Sequence, residues 1–154
     1  MPTDPLSVSG AHLLHSIIEP FHLRYPWLPD DSPNITTAET TNSATYVNLA
    51  TTGPFVTVNV GHNGILICGL GALMTNDTSG KTDHMAPALS GANVRVADDD
   101  FAAALTWITG DFNRTYATFA ITGLSPGPTV VTAQYRVSGG IGTFDNRHLW
   151  ALAL

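Results

Sequence analysis

His12, His15, Glu19 and His22 are spaced so that one helical face would carry all four, and imidazoles with a carboxylate are zinc ligands in principle. Pro20 interrupts that helix between Glu19 and His22. The four therefore read as a polar face opposite Leu14, Ile17, Ile18 and Phe21. A second candidate is Asp98-Asp99-Asp100, because hard cations take several carboxylate oxygens. Consecutive residues cannot all turn toward one ion, and EF-hand spacing is absent. Acids just before Phe101-Ala102-Ala103-Ala104-Leu105 suit the start of a helical turn, where they accept orphan N–H bonds. The lone Cys68 lies in the apolar run Ile65-Leu66-Ile67-Cys68, and no base adjoins it in sequence to lower its pKa. It reads as a buried small hydrophobe.

Other catalytic signatures are missing. The chain has no Gly-x-Ser-x-Gly, no phosphate-cradling loop and no His-Glu-x-x-His. A carboxylate pair for glycoside hydrolysis is invisible in sequence, and with twelve acidic residues chance pairing is easy. The expectation is a non-enzyme with no catalytic residues, no cofactor and no metal. Asn34-Ile35-Thr36, Asn76-Asp77-Thr78 and Asn113-Arg114-Thr115 match the N-glycosylation tripeptide. No secretory signal is visible, so they are expected to be chance matches.

The elements that must hold any site follow from composition and pattern. At 154 residues the chain is sized for one domain with its own core. Charged residues are 12% of it, about half the usual share, so Thr, Asn, Ser and Gly supply the polarity of a β-rich surface. A formal charge of -6 with a single lysine argues against nucleic acid as partner. With no apolar run of transmembrane length, no membrane partner is expected either, and the site of synthesis is read as a cytoplasm.

Residues 1–40 read as an N-terminal arm and residues 41–154 as the sandwich domain. Within the arm, residues 9–19 have the period of a short amphipathic helix that Pro20 ends, and Pro20, Pro26, Pro29 and Pro33 then favour extended chain. Phe21, Tyr25, Trp27 and Leu28 are costly to leave in water, so they are the arm's partner-binding candidates, against their own domain or a neighbouring subunit. Residues 36–44 read as a linker, residues 46–50 as the first strand, and residues 55–60 as a strand with Val56, Val58 and Val60 on one face. His62-Asn63-Gly64 predicts a tight hairpin turn. The apolar residues 65–73 follow as a central strand, and residues 85–96 as one or two strands broken near Ser90-Gly91.

In the last third, alternation of apolar and polar residues marks three strands, at residues 115–122, 131–137 and near 149–154. They are expected to form a meander. About eight antiparallel strands predict an all-β, two-sheet sandwich, jelly-roll or immunoglobulin-like, with an extended, partly helical N-terminal arm.

Gly53-Pro54-Phe55-Val56-Thr57-Val58, Ile65-Leu66-Ile67, Gly123-Leu124-Ser125-Pro126-Gly127 with Gln134-Tyr135-Arg136, and Thr143-Phe144-Asp145-Asn146-Arg147 together resemble small β-sandwich structural proteins of tailed bacteriophages. Head-decoration, head-fibre and minor tail proteins belong to that group, and the resemblance covers residues 44–154. It implies a virion component on the capsid or tail surface that binds major capsid or tail proteins, with the arm as the attachment. A homo-oligomer, with a trimer favoured, would follow from display at symmetry points. Trp107, Trp150 and Leu154 are the sandwich's interface candidates. The alternative is a minor tail or tail-fibre protein whose sandwich binds host glycan, for which Trp107 near Asp111 and Asn113 is the aromatic cluster.

Overall fold

The computed structural model describes residues 29–106 and 112–154, and these are built almost wholly from strands. In chain order they are β1 (Asp30–Asp31), β2 (Glu39–Thr41), β3 (Phe55–Val60), β4 (Leu66–Asn76), β5 (Thr82–Gly91), β6 (Ala103–Thr106), β7 (Asn113–Ile121), β8 (Gly127–Val137) and β9 (Gly142–Ala153), with one 3-10 turn at Asp99–Phe101. In the larger sheet β4 lies between β9 and β7, while β1 and β2 both pair along the other edge of β9. The smaller sheet runs in the order β3, β8, β5, β6. All of these pairings are antiparallel.

The pairs β2 with β9, β3 with β8, β4 with β7 and β5 with β6 are nested. The chain is thus one long antiparallel double strand, bent back between β5 and β6 and rolled so that successive pairs enter alternate sheets. This is a jelly-roll sandwich.

The last third is not a meander. β7 pairs with β4, β8 with β3 and β5, and β9 with β4, β1 and β2, so none of the three pairs with another. Alternation marks a half-buried strand but not its neighbour, and the turns between these strands cross the ~10 Å between sheets instead of reversing within one. The His62-Asn63-Gly64 hairpin is corrected likewise. Gly64 N–H donates to Gly61 O at 3.1 Å, yet the turn joins β3 in one sheet to β4 in the other. Residues 46–50 do not form a strand; Val47 makes one isolated bridge to Tyr135. The boundary expected at residue 40 falls within β2, and the stretch read as a linker contains a strand.

The core fills the space between the sheets. Val56, Val58 and Val60 of β3 and Val131, Ala133, Tyr135 and Val137 of β8 face Leu66, Cys68, Leu70, Ala72 and Met74 of β4 and Phe144, Leu149 and Ala151 of β9. Tyr135 and Phe144 meet edge to face with centroids 4.9 Å apart. Cys68 is fully buried, and burial pushes its thiol up to about 11.

Two polar pairs adjoin this core. Between Gly71 and Leu73 the β4–β9 register shifts, and on β9 Asn146 takes a φ of 47°. This bulge turns Arg147 inward, where strict alternation from Phe144 would have put it outside. Arg147 is fully buried, 3.1 Å from Glu39 of β2, with its guanidinium 5.5 Å from the Tyr135 ring centroid. Burial raises the Glu39 pKa, but bonds from Thr51 and Arg147 outweigh it and hold the carboxyl below its ordinary value. At Asn76 of β4 and Asp83 of β5 the two sheets meet again, with Nδ2 donating to Oδ1 at 2.6 Å. Asp83 Oδ2 has no hydrogen-bond partner among the described residues, and burial pushes this carboxyl up to about 6.

Candidate binding face

Beyond the bulge, β9 turns His148, Trp150 and Leu152 away from the core. In register beside them on β4 stand Gly71, Gly69 and Ile67, and beyond these on β7 stand Tyr116, Thr118 and Ala120. The outer face of the larger sheet therefore carries three aromatic or imidazole rings around two glycines. Glycine inside a strand costs about 0.5–1 kcal/mol relative to alanine and often marks a close approach. At Gly69 the approach is by a ring, since a Cβ there would collide with Nε1, Cε2 and Cζ2 of Trp150; one at Gly71 would meet the Thr115 carbonyl oxygen first and then Cγ and Cδ1 of Tyr116. Both glycines are buried by those rings, although they point outward.

Polar groups surround the rings. His148 Nε2 is 2.7 Å from Asp31 Oδ1 of β1, which is itself opposite Trp150 in the sheet. Tyr116 meets the His148 ring edge to face at 6.3 Å. Arg114 Nη1 donates to the Tyr116 hydroxyl at 3.1 Å, and the guanidinium stands 5.6 Å from the ring centroid. Pro29, Asp31, His148 and Trp150 line a recess of about 390 Å³. The edge strand is pinned beside it, since Ser32 Oγ donates to Leu149 O at 2.8 Å and Ser32 N–H donates to the same oxygen at 3.0 Å.

No family model matches the chain, and no curated protein matches it. Solved structures do. Murine APRIL at pH 5.0 aligns over 80% of this chain and 97% of its own, at 15% identity and a TM-score of 0.42. The Eiger TNF from S. frugiperda aligns over 84% and 93%, at 11% identity and a TM-score of 0.45. A Family 16 Carbohydrate Binding Module-2 aligns over 81% and 85%, at 16% identity and a TM-score of 0.38. At this level of likeness neither ligand nor partner carries over to the chain.

Of the residues singled out in the sequence, Trp150 lies on the outer face of the larger sheet. Leu154 is half-buried just past β9, and its N–H donates to Ile65 O at 2.9 Å. Phe21, Tyr25, Trp27, Leu28, Trp107 and Asp111 lie outside the described residues, as does the helix expected over residues 9–19. Asn113 opens β7. Tyr116, His148 and Asp31 were not singled out; the signal available for them was Gly69-Leu70-Gly71, a glycine pair inside an otherwise apolar run.

The aspartate triplet starts a turn, as its position before Phe101 predicted. Asp98 caps it by accepting from Asp100 N–H at 3.1 Å, and it pairs with Arg95 at 2.9 Å. Asp99 accepts from Tyr46 Oη at 2.9 Å and from Arg136 Nε at 2.7 Å, and Arg136 Nη2 bonds it too. The Arg136 guanidinium holds Asp99 below the ordinary carboxylate range. His84, 3.7 Å from Asp99, is held below its usual pKa by burial and by Arg136.

Proposed function

We propose that the chain is a non-enzymatic structural protein of a bacteriophage virion, a capsid-decoration or minor capsid protein. Its N-terminal arm, within the residues 1–40 set apart by composition, fastens it to neighbouring virion subunits, and the jelly roll is the body so displayed. The observation that supports this is the outer face of the larger sheet. A jelly roll whose interior is filled by packed side chains offers its surface, and here Trp150 and Tyr116 carry large rings on that outer face. Such a surface works by contact. Homo-oligomerisation, with a trimer favoured, is part of the same reading and is measured by light scattering on the purified chain.

The test of attachment is deletion of residues 1–28, which leaves β1 and its bonds to β9 in place. Incorporation into particles, measured by quantitative gel analysis of purified virions, is expected to fall at least tenfold. Undiminished incorporation would overturn the arm's role.

A further inference from the structure

We propose that the outer face of the larger sheet binds a neutral oligosaccharide, with Trp150 and Tyr116 as stacking platforms and Asp31, His148 and Arg114 as the hydrogen-bonding rim. The inference rests on the reading of the chain as a displayed binding body, and it names what that body takes.

Seating comes first. Gly69 and Gly71 are successive outward positions on β4, about 6.6 Å apart along the strand. Trp150 reaches over one from β9 and Tyr116 over the other from β7. Two linked pyranose rings span such a spacing, and the apolar C–H face of each sugar stacks on an aromatic ring. The missing Cβ atoms let both rings lie close against the sheet. The adjoining recess of about 390 Å³ lies in the size range of small-ligand sites.

The rim supplies what sugar hydroxyls need. Asp31 is an acceptor with its side chain 62% exposed, and the 26% exposed His148 side chain is held against it through Nε2. Arg114 engages Tyr116 and the Asn146 carbonyl through Nη1, which among the described residues leaves Nε and Nη2 as donors. The Asp31 carboxylate can accept from one hydroxyl, and an Arg114 N–H group can donate to another, which supplies both halves of sugar recognition. A flat protein partner would instead bury the Asp31 carboxylate and the Arg114 guanidinium together, at a desolvation cost that needs matched partners. Charge selects the sugar class: a chain of formal charge -6 with Asp31 at the rim disfavours anionic glycans.

The experiment titrates the purified full chain with a panel of neutral oligosaccharides of glucose, galactose, mannose and N-acetylglucosamine, with sialylated oligosaccharides as controls. Calorimetry and tryptophan fluorescence are the readouts. At least one neutral oligosaccharide is expected to bind, with affinity falling at least tenfold in Tyr116→Ala, a half-exposed position, and in Trp150→Ala. Gly69→Ala, which displaces the indole without removing it, is expected to weaken binding while Tyr116→Phe largely retains it. Thermal melts of each variant separate lost binding from lost fold. No binding across the neutral panel, or equal binding by wild type and Tyr116→Ala, overturns the glycan site. So does a preference for the sialylated controls. If Tyr116→Ala dissociates an oligomer and no sugar binds, the face is a subunit contact; the glycan assignment then fails, while loss of incorporation on deleting residues 1–28 still supports the structural reading.

Discussion

Asp83 illustrates what a single buried group does to the whole domain. Its side chain is fully buried, one oxygen accepts from Asn76 and the other has no partner among the described residues. Its pKa rises from 3.8 in the open chain to about 6 in the fold, so folding favours the protonated acid. The stability this group contributes is complete below pH 3.8 and is lost as pH rises through about 6. That gap corresponds to about 3 kcal/mol. Asp83→Asn keeps the acceptor for Asn76 and removes the ionisation. The variant is expected to be more stable than wild type at pH 7 by about 2–3 kcal/mol and to converge with it near pH 4. Urea denaturation at several pH values checks this; a constant difference across the range would assign the effect to packing. Sequence could not have singled out Asp83, since its carboxylate is read as an ordinary polar strand residue until the opposing sheet is in place.

Elements were legible in proportion to their length and alternation. β3 shows Val56, Val58 and Val60 inward, β8 shows Val131 to Val137 inward at every second position, and both are as the pattern predicts. β1 and β2 were missed because two or three polar residues carry no period; what defines them is pairing to β9, more than a hundred residues away in the chain. The β9 bulge was illegible for the same reason, and with it the inward turn of Arg147 and the outward turn of Trp150. The consequence is an electrostatic latch: Glu39 of β2 accepts from Thr51 N–H at 3.0 Å and lies 3.1 Å from Arg147 Nη2. Removing one partner of a buried pair typically costs about 3–5 kcal/mol. Arg147→Met and Glu39→Gln are each expected to destabilise the fold, the first by about 3 kcal/mol and the second by less, since Glu39 retains some exposure. The double variant is expected to lose less than the sum. Denaturation of all four proteins gives the coupling directly, and strict additivity would show that the latch contributes nothing.

At the scale of the molecule, the rolled double strand makes β1 and β2 part of the body. β1 and β2 cover one edge of β9, and the Ser32 and Ile35 amides bond to Leu149 and Arg147 carbonyls at 3.0 Å each. Deleting residues 1–28 removes none of these contacts. Deleting residues 1–41 removes both strands, bares the β9 edge to other chains and takes from Arg147 both the Glu39 carboxylate and the Thr37 carbonyl. The shorter truncation is therefore expected to melt within about 5 °C of the full chain, given that about 1 kcal/mol moves the midpoint of a domain this size by roughly 2–4 °C. The longer one is expected to aggregate or to melt at least 10 °C lower, the size of effect that loss of a buried ion pair and two strands implies. Thermal denaturation with sizing of the same samples decides it. Equal behaviour of the two truncations would mean that the sandwich begins after residue 41, at the boundary first read from composition, and that the ties from β9 to Ser32, Ile35 and Glu39 contribute little to the stability of the fold.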